Sequence, residues 1–136
     1  MKVLVTGASG VFGRDVVRRL ALHGHEVVGL SRSRPDRLPA GMSDYRAADI
    51  RDAAAVSDAV VGVDAVVHLT WTLAPNKDTS ITRSIDLGGT RNVVDAMNRH
   101  GVKRLVFASS VMSYGCNADN PPRLTETSLQ RPDPES

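Results

Sequence analysis

Thr6-Gly7-Ala8-Ser9-Gly10-Val11-Phe12-Gly13 decides the fold. A short apolar run, Val3-Leu4-Val5, stands before it and reads as a buried strand, and an apolar helical periodicity begins after it. Between a strand and a helix each glycine has its own task. Gly7 permits the tight turn off the strand, Gly10 lets the backbone approach a pyrophosphate, and Gly13 lets the helix pack closely on the sheet. The helix N-terminus then offers free N–H groups and the positive end of its dipole to the phosphates. Gly7, Ser9, Gly10, Val11, Phe12 and Gly13 are therefore the expected phosphate-gripping residues. The bland alternative is a glycine-rich turn with no ligand. A mononucleotide P-loop is excluded, because no Gly-Lys-Ser/Thr occurs in the chain.

Working outward, the pattern predicts a helix from Val11 to His23 with Phe12, Val16, Val17, Leu20 and Ala21 on its apolar face. Gly24 closes it in the left-handed conformation. Val27-Val28-Gly29-Leu30 is a second strand, and the polar, Pro- and Gly-containing stretch from Ser31 to Met42 reads as loop. A weak strand around Tyr45 to Ala48 precedes Asp49, and Asp52 is placed to N-cap a short helix through Ala59 and Val60. Ala65-Val66-Val67-His68-Leu69 is a further strand. A loop with Trp71 and Pro75 leads to a helix from about Ile81 to His100, apolar at Ile81, Ile85, Val93, Ala96 and Met97 and ended by Gly101. Leu105-Val106-Phe107-Ala108 is the last strand. Five short apolar strands separated by helices or crossovers imply an α/β, Rossmann-like, doubly wound parallel sheet, with expected order 3-2-1-4-5.

The chain has 136 residues, 41% of them hydrophobic and 24% charged, which suits one compact domain. Residues 1–115 are expected to form it. Residues 116–136 contain Pro121, Pro122, Pro132 and Pro134, carry few apolar side chains and are expected to form a poorly ordered tail. The net charge is only +2 and no basic stripe occurs, which argues against nucleic acid as a partner. The short basic spot Arg32, Arg34 and Arg37 is suited to a phosphate or to a solvated loop. No apolar run approaches a membrane span. Cys116 is the single cysteine, so no internal disulfide forms, and a reducing, cytoplasmic setting is the expectation.

Four further stretches stand in order along the chain: Asp49-Ile50-Arg51-Asp52, Asp64-Ala65-Val66-Val67-His68-Leu69-Thr70, Asp86-Leu87-Gly88-Gly89-Thr90-Arg91-Asn92-Val93, and Phe107-Ala108-Ser109-Ser110-Val111-Met112-Ser113-Tyr114-Gly115. With the Gly-x-x-Gly-x-x-Gly loop they resemble, in that order, the motifs of the extended short-chain dehydrogenase/reductase family, also called the NAD-dependent epimerase/dehydratase family. The resemblance implies an NAD(P)-binding domain of an epimerase, dehydratase or reductase. It assigns Asp49 to the adenine amino group with Ile50 beside the ring, Leu69 and Thr70 to backbone contacts with the cofactor, and Ser110 to a catalytic hydroxyl on the substrate's oxygen. Ser109 is its neighbour on the other side of the strand. His68 is implied to be structural. Asp86 replaces the family's Asn, and an ionised Asp accepts hydrogen bonds where Asn also donates.

At the end of the second strand stands Ser31, followed by Arg32, with no carboxylate to receive a ribose 2′-OH. Arg32 is suited to clamp a 2′-phosphate, which favours NADP over NAD. The family's Tyr-x-x-x-Lys pair is missing: four residues after Tyr45 stands Asp49, four after Tyr114 stands Ala118, and Lys2, Lys77 and Lys103 have no suitably spaced tyrosine. The final Arg131-Pro132-Asp133-Pro134-Glu135-Ser136 resembles the loop before that pair. The expectation is a cofactor-binding half, truncated before its catalytic pair and inactive alone, with the sheet incomplete on the C-terminal side and completed by a second chain. The alternative is a non-enzymatic NADP sensor or a module that binds a partner.

Overall fold

A computed structural model describes residues 1–72 and 79–132. Pro75, Lys77 and Asp133 to Ser136 lie outside the described residues. The strands are β1 (Lys2–Thr6), β2 (Glu26–Ser31), β3 (Met42–Ala47), β4 (Ala65–His68) and β5 (Arg104–Phe107). They form one parallel sheet in the order β3-β2-β1-β4-β5, as expected. The helices are α1 (Val11–Leu22), α2 (Ala53–Val60), α3 (Thr79–Arg83) and α4 (Gly89–His100), with a π-helical turn over Ser84–Gly88 between the last two.

Strand alternation sorts the core into two layers. Val3, Val5, Val27 and Ala65 face Val17, with Val16 and Leu20 packed alongside, beneath α1. Leu4, Val28, Leu30 and Val66 face Val56, Val60, Val93 and Met97 of α2 and α4 on the other side. Covering on both faces is why β1, β2 and β4 read as unbroken apolar runs. Burying each of these Val or Leu side chains contributes about 1.5–3 kcal/mol before entropy is subtracted.

Several boundaries move. β3 begins at Met42, inside the expected loop, because Met42 pairs with Val27. The long helix expected from Ile81 to His100 begins at Thr79 and is interrupted by the π turn. Two expected core positions also prove exposed: Phe12 at 66% and Ile81 at 41%. Phe12 lies in the first turn of α1, and both side chains border the crevice described below. At the C-terminal side β5 is the sheet edge, with Leu105, Val106 and Phe107 all exposed.

Candidate functional site

The glycine loop is built before any ligand arrives. Gly7 turns at φ +69° and its N–H donates to Leu30 O at 2.8 Å; the Ser9 N–H donates to the Ser31 hydroxyl at 3.2 Å. A Cβ at Gly13 would lie 2.2 Å from Gly7 O, so only glycine lets α1 approach the turn. Gly10 differs. Its backbone is extended (φ −67°, ψ 165°), and a Cβ there would meet only Gly7 O, at 3.2 Å. Gly10 is also the N-cap of α1, and no side chain caps that end. The first-turn N–H groups of Val11 and Phe12 thus have neither an intrahelical partner nor a cap.

Around this loop lies a cavity of about 930 Å³ at the carboxyl ends of the strands. Gly7, Ser9, Gly10, Val11, Phe12 and Gly13 line its centre. Ser31, Arg32, Asp49 and Ile50 line the β2–β3 side, and Leu69 and Thr70 the β4 side. The structure therefore gathers all twelve expected cofactor residues on one surface. Sequence reasoning missed Asp15, Leu30, Ser33, Ala48, Thr72, Ile81 and Ile85 as lining residues and left Trp71 undecided; most stand within two positions of an expected one, whereas Ile81 and Ile85 arrive from a distant helical segment that only the fold brings to the opening. Ser110 is not among the lining residues. It follows β5, and its hydroxyl accepts the Met112 N–H at the start of a 3₁₀ turn (Val111–Tyr114).

At the β2–β3 side the Asp49 carboxylate is forked by Arg51. Oδ1 accepts from Arg51 Nε at 3.0 Å and from its backbone N–H at 2.9 Å, and Oδ2 accepts from the guanidinium at 2.7 Å. These bonds pull the Asp49 carboxyl down to about 2, with the nearby Arg32 charge adding to the effect. A carboxylate accepts about four hydrogen bonds, so capacity remains for one more donor. Asn92 Nδ2 holds Ile50 O at 3.0 Å, and Gly89 lets α4 close on Ile50, where a Cβ would meet the Ile50 side chain at 2.6 Å. Arg32 is exposed and forms no ion pair among the described residues.

The β4 wall is held from behind by His68, which is 2% exposed. Thr90 donates its hydroxyl proton to Asp86 O, so it accepts from His68 Nε2, 3.1 Å away. The ring, kept neutral by burial that pushes it down to about 4, then accepts at Nδ1 from the Thr6 hydroxyl at 2.6 Å. Thr6 Oγ1 in turn accepts the Leu69 N–H at 3.2 Å. On the other side, the Asp86 carboxylate accepts both the N–H and the hydroxyl of Thr72, each at 3.0 Å.

Beyond the 3₁₀ turn, Arg131 closes residues 115–131 into a loop. Its guanidinium forks Asp119 at 2.9 and 3.0 Å and reaches Asn120 Oδ1 at 3.0 Å. Asn120 Nδ2 returns to Gly115 O at 2.7 Å. Gly115 sits at φ +70°, where a Cβ would lie 2.1 Å from Arg131 O. Among the described residues, no three His, Cys, Asp or Glu side chains are grouped to hold a metal, and no helix is long and apolar enough to cross a membrane.

Known proteins share this arrangement. The chain is 48% identical over 110 residues to an uncharacterized protein of Mycobacterium tuberculosis (strain ATCC 25618 / H37Rv), covering 81% of this chain and 12% of that one. It is 37% identical over 111 residues to the 2-alkyl-3-oxoalkanoate reductase of Stenotrophomonas maltophilia (strain K279a), covering 81% and 33%. A short-chain dehydrogenase/reductase superfamily protein from Agrobacterium tumefaciens, solved with bound NAD, superposes with a TM-score of 0.85 at 34% identity, over 98% of this chain and 40% of that one. The chain thus spans well under half the length of each. The family model for the NAD dependent epimerase/dehydratase family matches residues 3–136, and the chain belongs to that family.

Proposed function

We propose that this chain is the nicotinamide-dinucleotide-binding domain of an oxidoreductase of epimerase, dehydratase or reductase type. The observation that carries this is the single cavity joining the uncapped N-terminus of α1 to the β2–β3 and β4 sides of the sheet. The bound dinucleotide in the Agrobacterium relative supports the same reading. The pyrophosphate lies on Gly10, Val11 and Phe12, whose N–H groups and helix dipole favour anions. The adenosine half extends over Ser31, Arg32, Asp49 and Ile50. The other half extends over Leu69 to Thr72, because β2 and β4 flank β1 on opposite sides. When bound, the dinucleotide supplies a site that accepts or donates a hydride.

Arg32 favours NADP, since the Ser31 hydroxyl already donates to Leu30 O and accepts from Ser9, and Arg32, which forms no ion pair among the described residues, lines the cavity at that end. Ser110 is the hydroxyl offered to a substrate's oxygen, exposed just past β5. The chain carries no Tyr-x-x-x-Lys, so we assign it binding without turnover by these 136 residues alone.

Calorimetric titration with NADPH and NADH, beside a Gly10→Val control, tests the reading. Gly10 suits a control because its extended backbone is open to any residue and a Cβ there meets only Gly7 O, at 3.2 Å; thermal unfolding of the variant reports that it is folded. Binding by the wild type and its loss in the folded variant is the expected result. No binding by a folded wild type would sink the proposal.

A further inference from the structure

Leu69, Thr70, Trp71 and Thr72 form a continuous strap along the β4 side of the cavity. Both of its ends lead to one residue. The Leu69 N–H passes through Thr6, His68 and Thr90 to the backbone carbonyl of Asp86. Thr72 is held directly by the carboxylate of Asp86. Asp86 lies within the π turn, a helix irregularity that recurs at functional sites. It is 6% exposed and is the one buried Asp, Glu, Lys or Arg among the described residues. Both Thr72 groups donate to its Oδ1.

The strap itself is uncharged, as are Ile81 and Ile85 beside it. The charged lining residues, Asp15, Arg32 and Asp49, belong to the glycine-loop helix and the β2–β3 side. Asp86 therefore sets the field on the β4 half from behind the wall, where low polarity weakens screening. The two forms of a nicotinamide dinucleotide differ there: the oxidised ring carries a positive charge and the reduced ring none.

We propose that Asp86 discriminates between the redox forms of the dinucleotide. Its carboxylate fixes the Thr72 end of the Leu69–Thr72 wall and, through its charge, favours the oxidised, cationic ring over the reduced one. The inference rests on the dinucleotide reading above and on the nicotinamide half lying over β4.

The test titrates NADP⁺, NADPH and 2′,5′-ADP, a probe of the adenosine half alone, into wild type, Asp86→Asn and Asp86→Leu. Asparagine keeps an acceptor for Thr72 and removes the charge. It should lower NADP⁺ affinity relative to NADPH by about tenfold and leave 2′,5′-ADP unchanged. Leucine also removes the acceptor, so it should weaken both redox forms and spare 2′,5′-ADP. Thermal unfolding of each variant reports whether it is folded, and Asp86→Asn decides the matter if the leucine variant is not. If the NADP⁺/NADPH ratio is the same in Asp86→Asn and wild type, the inference is overturned while the dinucleotide reading stands. If folded wild type binds neither NADP⁺/NADPH nor NAD⁺/NADH, that reading falls and the inference with it.

Discussion

The Thr6 hydroxyl donates to Nδ1 of His68 across 2.6 Å, so the ends of β1 and β4 are joined by side chains as well as by the backbone ladder. This bond requires a neutral imidazole, and burial supplies one.

His68 makes stability depend on pH. Its folded value of about 4 lies below the ordinary 6.5. Between those values the unfolded chain binds a proton that the folded chain refuses. The contribution of neutral His68 is complete above about pH 6.5 and is lost as pH falls toward 4. The unfolding midpoint should therefore drop from pH 7 to pH 5, and His68→Gln should flatten that slope. An equally steep slope in the variant would mean that another group titrates.

Gly13 and Gly24 separate two reasons for glycine. Gly13→Ala forces a Cβ to 2.2 Å from Gly7 O and should cost about 3 kcal/mol or more. Gly24→Ala meets nothing within 4 Å and strains only its φ of +77°, at about 1 kcal/mol. Urea denaturation should rank the two in that order.

Asp52 caps α2 by accepting the N–H groups of Ala54 and Ala55, each at 3.0 Å. Asp52→Ala should cost about 1 kcal/mol in the same assay. A change near zero would show that water replaces the cap without loss.

Arg32→Ala addresses cofactor choice. Losing a charge-assisted contact of about 2 kcal/mol should cut NADPH affinity roughly thirtyfold and leave NADH nearly unaffected. An unchanged NADPH/NADH ratio would remove Arg32 from the ribose end.

At the sheet edge, exposed Leu105, Val106 and Phe107 accompany backbone groups with no strand beyond β5 among the described residues. Such an edge invites pairing. Light scattering of the 136-residue chain should show self-association that Val106→Lys reduces; a monomer at high concentration in both forms would count against it.

Much of this was legible because the determining residues are local. The glycine spacing, the β-branched runs and Asp52 each act within a few residues, and strand order followed from parallel crossovers. What stayed hidden depends on contacts across the sheet. Met42 joins β3 by pairing with Val27, and nothing between Ser31 and Met42 announces it. Phe12 and Ile81 keep helical period but sit where no layer covers them. Asp86 stood out in the sequence only as a departure from Asn. Its hold on Thr72 required the chain to fold back across 14 positions. The fork of Asp49 by Arg51, by contrast, spans two positions, yet the motif directed attention to a ligand and not to the neighbouring guanidinium.

Gly115 and Arg131 lie backbone against backbone, so the segment between them begins and ends at nearly one point. A segment with adjoining ends behaves as a cassette. Its interior can lengthen, shorten or change composition at little cost in closure entropy, because that cost grows only slowly with length. Substitutions between residues 117 and 130 that keep the Asp119 and Asn120 contacts should therefore leave β5 and Ser110 where they are. The fold thus provides a region beside the sheet's carboxyl edge where relatives can diverge without disturbing the frame.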